Sequence, residues 1–599
     1  ITYDDFTIKK SHNEKGTTLI SPDLATCADC ISELNDSADP RFSYPFINCT
    51  NCGPRYSIIK NIPYDRPFTS MKDFKMCDFC KDEYTNPLNR RFHAQPVACK
   101  ECGPDLYLLD EHLNNIECDP IPKTIELLKQ GKIIGVKGIG GFHIAVDADN
   151  IQAIKELRKR KNRPEKPFAI MCKPKHISEI AEASEDEIVL LSSPIAPIVI
   201  LKKRMIFPEI APNNPTIGIF FPYAPLHHLL MQNDFNYLLM TSANQHNSPI
   251  ASSEKDIKGL CDYFLCHNRE IVHRNDDSVI LPSIKSIIIR RSRGFVPLPI
   301  SLPFDTIPSL GTGAELKLTF TLAEKKRAFL SPYIGNNSSK STFDFYQETL
   351  ETYKKWFGII PQAVFSDLQP DFTTTKFAEK LGIPHIKIQH HHAHIAAIMA
   401  DNMINEPVIG LALDGTGFGD DENIWGGEIL HCDYSSYKRL FHLENMPLPG
   451  GDISIKHPLR LAWSWIKSAG IQTDIIPTLD SNVKKIIDSQ LKSGFRVFQT
   501  SSAGRFFDCV SSILGLNKSI TFEAQAAIRL EHFCNSIDER NFYNHYIDNE
   551  ILLVKPILKQ IVDDIENRIN KHLIAEKFHQ SLINMFVAAT IKSRVETGV

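Results

Sequence analysis

Tyr44–Ile58 reads YPFINCTNCGPRYSI, and Arg90–Pro104 reads RRFHAQPVACKECGP. Each stretch carries a C-x2-C pair that runs into Cys-Gly-Pro. Cys49 and Cys52 follow Cys27 and Cys30 after 18 residues, and Cys99 and Cys102 follow Cys77 and Cys80 after another 18. One frame therefore occurs twice, offset by 50 residues, between residue 1 and about residue 110. Two thiolates spaced this way grip one side of a tetrahedral zinc, and a second pair closes it with four sulfurs. A closed shell has no place for substrate, so two structural zincs are expected. The spacing leaves open whether each zinc takes sequential or interleaved pairs; sequential pairing is expected. The segments between pairs are polar and proline-rich, so metal binding is expected to supply the folding energy. Read as separate modules, the fingers predict that Cys49→Ser releases one zinc.

Residues from about 115 to 305 show a different pattern. A helix around Thr124–Lys132 and a buried strand at Ile133–Lys137 lead into the glycine turn of KGIGGFH (137–143). Glycines after a strand let main-chain N–H groups approach a phosphate. An amphipathic helix at Ile151–Lys161 follows, ending in the basic run RKRKNRPEKPFAIM (158–171). Farther on, an apolar strand runs into Thr241-Ser242-Ala243-Asn244, whose hydroxyl and amide suit phosphate and carbonyl oxygens. Arg274 and Arg291 add guanidinium groups. Together these predict a cationic pocket for a triphosphate with Mg2+, giving an α/β nucleotide-binding domain.

The proline-rich stretch Val296–Pro308 reads as a linker, and about 308 to 599 as a third domain. Glycine loops occur at LGTGAELKLTFTL (310–322) and IGLALDGTGFGDD (409–421). Gly311, Gly313, Gly415, Gly417 and Gly419 are expected to face phosphate and Asp414 to hold a divalent cation. Paired loops of this kind suggest the duplicated actin/hexokinase-like (ASKHA) architecture. Between them stands Gln389-His390-His391-His392-Ala393-His394 at a helix start. His390 and His394 share a helix face, the spacing of a two-imidazole metal clamp, with His391 and His392 pointing elsewhere. The last residues, Ile591–Val599, run out of a helical pattern with no evident stop.

The words around these residues resemble those of the hydrogenase-maturation carbamoyltransferase family, HypF. The resemblance rests on the two cysteine stretches, NIPYDRPFTSM (61–71), KGIGGFH, the basic run, FFPYAPLHHLL (220–230), TSAN, the histidine cluster, TSSAGRFFDCVSSILGL (500–516) and FEAQAAIRLE (522–531). It implies a multidomain α+β and α/β chain: a duplicated four-cysteine zinc-finger module, a YrdC-like domain that makes carbamoyl-adenylate, and a threonylcarbamoyl-transferase-like domain. It implies that Lys137, Arg158, Arg160, Lys166, Ser242, Asn244, Arg274 and Arg291 surround ATP and a carbamoyl group, Lys137 and Lys166 with Asp414 being catalytic. It implies iron or a similar divalent ion on His390 and His394. Carbamoyl phosphate or carbamate would be the substrate, and a cysteine thiolate of HypE the acceptor, toward the cyanide ligands of [NiFe] hydrogenase. The family also implies an acylphosphatase domain, whose arginine-bearing phosphate loop does not occur in these 599 residues. A later Gly-Gly loop and aspartate are implied as well, so a partial transfer site is expected. A glycine is implied where Ala524 stands.

The 42% hydrophobic and 23% charged content is that of a globular chain, and a net charge of −4 predicts no nucleic-acid partner. No apolar run approaches the roughly 18 residues of a membrane span. Eight of the 15 cysteines fall in C-x2-C pairs, which favours metal binding in the cytoplasm over secreted disulfides. Three other functions share parts of the pattern. A tRNA threonylcarbamoyladenosine synthase or a natural-product O-carbamoyltransferase would need no duplicated finger. A zinc-ribbon nucleic-acid binder would leave TSAN and the histidine cluster unexplained.

Overall fold

The computed structural model describes residues 19–205, 207–232, 234–244, 248–337, 339–473, 475, 479–534 and 538–599. The described residues fall into two units, one within residues 19–300 and 306–362, the other within 301–305 and 363–599.

In the first unit each finger contributes one short helix that starts directly after a cysteine, α1 (Ala28–Asn35) and α2 (Asp78–Thr85). A twelve-stranded mixed sheet follows, built from β1 (Leu106–Leu109), β2 (Ile134–Lys137), β3 (Phe142–Asp147), β4 (Ala169–Cys172), β5 (Ile198–Lys203), β6 (Thr216–Phe220), β7 (Tyr237–Ser242), β8 (Tyr263–His267), β9 (Val279–Leu281) and β10 (Ile287–Arg290). Its order is β10-β9-β5-β6-β4-β7-β3-β2-β8-β1, with the two-residue strands Asn115–Ile116 beside β1 and Ala181–Glu182 beside β5. Strand alternation feeds two cores: Phe142, Ile144 and Val146 enter one and Ala145 the other. Helices α3 (Pro120–Lys129) and α4 (Ile151–Arg160) pack on this sheet.

The finger segments are less apolar-poor than they read. Leu34, Tyr44, Phe46, Ile47, Ile58 and Met71 form a small core that borrows Leu229 from the sheet domain. Helix α5 (Lys340–Phe357) brings Tyr353 and Trp356 against Tyr56 of the first finger, with ring centroids 6.5 and 6.0 Å apart. The stretch read as a linker is mostly strand: β11 covers Ile300–Gly311 and is followed by β12 (Thr321–Leu330). Proline's fixed φ lies at the edge of the extended region, so Pro303 and Pro308 do not bar a strand.

The second unit contains β13 (Ala363–Asp367) parallel to β14 (His385–Ile388), then α6 (His390–Asp401). A seven-stranded sheet is built around β15 (Val408–Phe418), β16 (Ile424–Cys432) and β17 (Tyr437–Leu443), consecutive antiparallel partners. Helices α7 (Pro458–Ser468), α8 (Ala503–Ile513), α9 (Gln525–Phe533) and α10 (Lys571–Thr597) cover it, with Trp465, Phe506 and Phe578 in the core. Helix α10 does have a stop signal, since Gly598 takes the left-handed conformation at its end. Among the described residues no helix is long and apolar enough to cross a membrane.

Ala524 occupies the position where the family resemblance implies glycine, and its φ is 57°, in the left-handed region. The cost to a residue bearing a Cβ explains the glycine. Ala524→Gly is expected to shift the unfolding free energy of this unit by about +0.5 kcal/mol, relief of strain offset by glycine's unfolded-state entropy. Ala524→Val should lower it by about 2 kcal/mol. Urea midpoints in the order Gly, Ala, Val would support the geometry, and a more stable valine variant would refute it.

Candidate functional site

Each finger assembles its four sulfurs from sequential pairs, Cys27/Cys30/Cys49/Cys52 and Cys77/Cys80/Cys99/Cys102. In the first, neighbouring sulfurs lie 3.6 Å (Cys27–Cys49), 3.7 Å (Cys49–Cys52) and 3.6 Å (Cys30–Cys52) apart. In the second, the Cys77–Cys99 and Cys99–Cys102 separations are 3.6 and 3.8 Å. Four sulfurs about 2.3 Å from a zinc stand about 3.8 Å from one another, so both donor sets fit tetrahedral zinc. The fingers also exchange arginines. Arg41 pairs with Glu83 and donates from Nε to Ala98 O, while Arg91 pairs with Glu33 and donates from Nε to Asn48 O. These contacts are related by the 50-residue repeat. Arg90 of the second finger donates to Cys30 Sγ at 3.3 Å, and Arg41 of the first to Cys80 Sγ at 3.4 Å.

In the sheet domain, the antiparallel pairing of β3 with β7 sets His143 across from Ser242. The glycine turn between β2 and β3 therefore adjoins the TSAN strand end. Lys161 caps α4 and reaches this end. Its Nζ donates to Ser242 O (2.9 Å), Asn244 O (3.0 Å) and Asn244 Oδ1 (3.1 Å). All these partners are neutral oxygens. Burial, with Arg163 next in influence, lowers its pKa to about 7. Arg163 donates from Nη1 to Thr241 Oγ1 at 3.4 Å, from Nε to Lys166 O at 3.2 Å and from Nη2 to Pro167 O, so it joins the loop to the strand end. The cluster sets a buried cation, whose hydrogen-bond acceptors carry no charge, beside amide and hydroxyl groups, an arrangement that suits an anionic ligand.

The structure sorts the predicted basic residues. Ser242 and Asn244 are at the cluster, and exposed Lys166 lies on the loop beside it. Arg158 is a clamp instead: its nitrogens donate to the carbonyls of Glu209, Arg163, Lys166 and Ile210, at 2.6 to 3.1 Å, which ties down that loop. Arg160 is held by Glu156 and Asp262. Lys137 donates to His267 O at 3.0 Å, Arg274 lies over the Phe345 ring and Arg291 Nη2 donates to Leu298 O. Among the described residues, Lys137, Arg160 and Arg274 make no hydrogen bond to the Lys161 cluster. The burial of Lys161 was legible in the sequence, though its difference from Arg158 was not. Ile154, Leu157, Arg158 and Lys161 repeat at helical spacing, which puts Lys161 on the buried face of α4.

In the second unit His390, His394 and Asp414 bring one donor atom each within 4.8 Å of the others. The two Nε2 atoms are 3.1 Å apart, and Asp414 Oδ2 is 3.4 Å from that of His390. Ligands at right angles about 2.1 Å from an ion are about 3.0 Å apart, so a divalent cation fits. Two imidazoles and one carboxylate match a facial triad with positions left for substrate. Asp367, 7% exposed at the end of β13, accepts from His390 Nδ1 at 2.6 Å. A carboxylate there puts the proton on Nδ1 and turns the Nε2 lone pair toward the triad. Burial works against a charge on His390, but Asp367 and Asp414 outweigh it and raise its pKa to about 9. The pocket favours positive charge.

Asp414 thus joins the histidines rather than serving a separate phosphate loop. The glycines after it are packing positions in part. Gly415 N–H donates to Asp414 Oδ1 at 2.6 Å. A Cβ on Gly417 would stand 2.4 Å from His391, and one on Gly419 2.1 Å from Trp425. Ser502 Oγ, at the start of α8, bonds Asp414 O at 2.7 Å and holds the turn from behind. His391 is buried against that strand, and His392 bonds Asp433 O at 2.6 Å. Gly311 and Gly313 belong to the first unit.

Known families match the chain in order. The family described as HypF finger matches residues 26–59 and 76–109, and Telomere recombination matches 126–292. HypF Kae1-like domain matches 305–401, and Carbamoyltransferase, Kae1-like Domain, second subdomain matches 410–599. Carbamoyltransferase HypF of Rhodobacter capsulatus is 39% identical over 543 residues, covering 88% of this chain and 73% of that protein. That of Synechocystis is 37% identical over 632 residues, covering 99% and 82%. A crystal structure of full-length HypF in the phosphate- and nucleotide-bound form superimposes with a TM-score of 0.93 at 41% identity, covering 97% of this chain and 78% of that one. T. kodakarensis HypF gives 0.91 at 38% identity, covering 97% and 79%.

The exchanged arginines change what loss of one finger means. Cys49→Ser is now expected to take zinc content well below one per chain, because Arg41 and Arg91 lose their partners together. Zinc released to a chelating dye measures this. One zinc retained, with the second finger still folded, would show that the fingers stand independently.

Proposed function

The chain belongs to the HypF carbamoyltransferase family, and from that premise we propose that it activates a carbamoyl group with ATP at the Lys161 cluster. We propose further that the group is passed, at the His390/His394/Asp414 triad, to the C-terminal cysteine thiolate of a HypE-type acceptor in [NiFe]-hydrogenase maturation. The observation that carries this reading is the buried Lys161 ammonium, whose hydrogen-bond partners are all neutral oxygens. Such a cation in a protein interior is stabilised by an anionic ligand.

In the first step a carbamate oxygen attacks the α-phosphorus of Mg-ATP and the bond to pyrophosphate breaks. Little covalent chemistry is asked of the protein; in-line placement and charge neutralisation are. Lys161 and Arg163 supply charge, Ser242 and Asn244 orient oxygens, and the Gly138–Gly141 turn offers main-chain N–H groups. Lys166, on the loop clamped by Arg158, is placed to follow the phosphates. In the second step the thiolate sulfur bonds to the carbamoyl carbon and the bond to the adenylate oxygen breaks. His390, His394 and Asp414 would hold iron or a similar divalent ion, which supplies Lewis acidity toward the carbonyl when bound. Asp367 keeps His390 in the ligating tautomer, and Ser502 fixes the Asp414–Gly415 turn.

Pyrophosphate release from Mg-ATP with carbamate (bicarbonate plus ammonia) tests the first step. Lys161→Met is expected to lower it about a hundredfold with both zincs retained. Lys161 carries its charge below about pH 7 and loses it above, so ATP affinity is expected to fall as pH rises through 7. The methionine variant should flatten that limb. An equal rate in Lys161→Met would remove the cluster from the scheme. His390→Ala is expected to abolish carbamoylation of the acceptor cysteine while sparing pyrophosphate release; the opposite pattern would mean the two sites have exchanged roles.

A further inference from the structure

Asp23 stands four residues ahead of Cys27 and is 0% exposed. Its carboxylate is filled by four donors. Oδ1 accepts from the main-chain N–H of Arg55 (2.7 Å) and Ser57 (3.0 Å) and from Ser57 Oγ (2.9 Å); Oδ2 accepts from Asn275 Nδ2 (3.2 Å). Burial of a carboxylate is tolerated when its lone pairs are satisfied in this way. Three donors lie on the segment that leaves Cys52, so Asp23 joins the entry of the first finger to its exit, beside the zinc ligands at both ends. The fourth donor is 252 positions away in the chain.

Asn275 carries the contact onward. Its N–H donates to Gly140 O at 2.8 Å, and its Oδ1 accepts from Ser292 Oγ at 3.1 Å. It lies so close that a Cβ on Gly140 would be 2.5 Å from Asn275 O. Gly140 belongs to the turn closed by Gly138 N–H on Gly141 O at 2.8 Å, and that turn adjoins Ser242 through the β3–β7 ladder. The finger is also stitched to the same segment by Val272 N–H on Ser57 O at 2.8 Å. The next residues are Asp276, paired with Arg290, and Asp277, which accepts from Arg293 Nε and faces His143 Nε2, both at 3.0 Å. A continuous series of buried polar contacts therefore runs from Arg55 and Ser57, just after Cys52, through Asp23 and Asn275 to the glycine turn.

We propose that Asp23 is a positioning residue for adenylation, and that through Asn275 it makes the first zinc finger a wall of the nucleotide site. The proposal rests on the reading that the Gly138–Gly141 turn and the Lys161 cluster hold ATP. The match is directional: a carboxylate oxygen faces an amide N–H2. Asp23→Asn sets amino group against amino group, or turns its amino group onto the donors of Arg55 and Ser57. The paired exchange Asp23→Asn with Asn275→Asp puts a donor opposite an acceptor again, in reversed order.

The test uses the full chain, with pyrophosphate release for turnover, calorimetric titration with Mg-ATP for affinity, and zinc content. Asp23→Asn is expected to raise the KM and Kd for ATP about tenfold, with kcat within about twofold and two zincs retained. The paired exchange is expected to return both constants to within about threefold of the parent. Unchanged KM and Kd in Asp23→Asn would overturn the proposal. So would failure of the paired exchange to repair them, or loss of zinc and of cooperative melting together, which would mark Asp23 as a folding residue of the finger. A parent chain that binds ATP without releasing pyrophosphate would sink the carbamoyl-activation reading alone, since the titrations still decide the coupling. A parent that does not bind ATP would overturn both.

Discussion

Four thiolates held 3.6 to 3.8 Å from their neighbours repel one another strongly in a protein interior, and only a cation among them makes the arrangement stable. Much of the first unit hangs on that constraint. The knuckles fix short segments whose own apolar core is small and borrows from the sheet domain. The same segments carry Arg41, Arg90 and Arg91 across the repeat and Asp23 and Ser57 toward Asn275. A finger of this kind is packed and hydrogen-bonded into the sheet domain.

The two units treat charge in opposite ways. In the first, cations gather among neutral oxygens, and burial, with Arg163 next in influence, brings Lys161 to about 7. In the second, carboxylates and imidazoles gather where a cation belongs. There Asp367 and Asp414 lift His390 to about 9, and His390 in turn helps hold Asp414 at about 2 against the effect of burial. Each cluster suits a ligand of the opposite sign. That is the electrostatic signature expected of a nucleotide site and of a metal site.

Basic residues near the first site divide by what their donors already do. Arg158 has its donors on four carbonyls and holds a loop; Arg160 is neutralised by Glu156 and Asp262. Both sit in the same run as Lys161, and composition alone cannot separate a clamp from a ligand-binding cation. Arg158 and Lys161 both lie on the buried face of α4; the difference lies in what each donor set holds, Arg158 the loop through Arg163 and Lys166 and Lys161 the Ser242/Asn244 strand end.

The sequence by itself determined whatever depends on short spacing. Two cysteines three positions apart must form a knuckle, and two histidines four apart on a helix must share a face, because backbone geometry over a single turn leaves little choice. The repeated frame and the three kinds of domain were legible for that reason. Ala524 was legible as a departure, though its cause, a φ of 57°, was not. The tertiary structure decided what depends on residues far apart in the chain: that Asp414 and Asp367 complete the histidine site, that Lys161 rather than Arg158 offers its charge, that Arg41 serves the other finger's cysteine, and that Asp23 reaches Asn275. These pairings arise when whole elements pack and bury polar groups that must then find partners. The identity of those partners is set by the packing, not by the spacing of the chain.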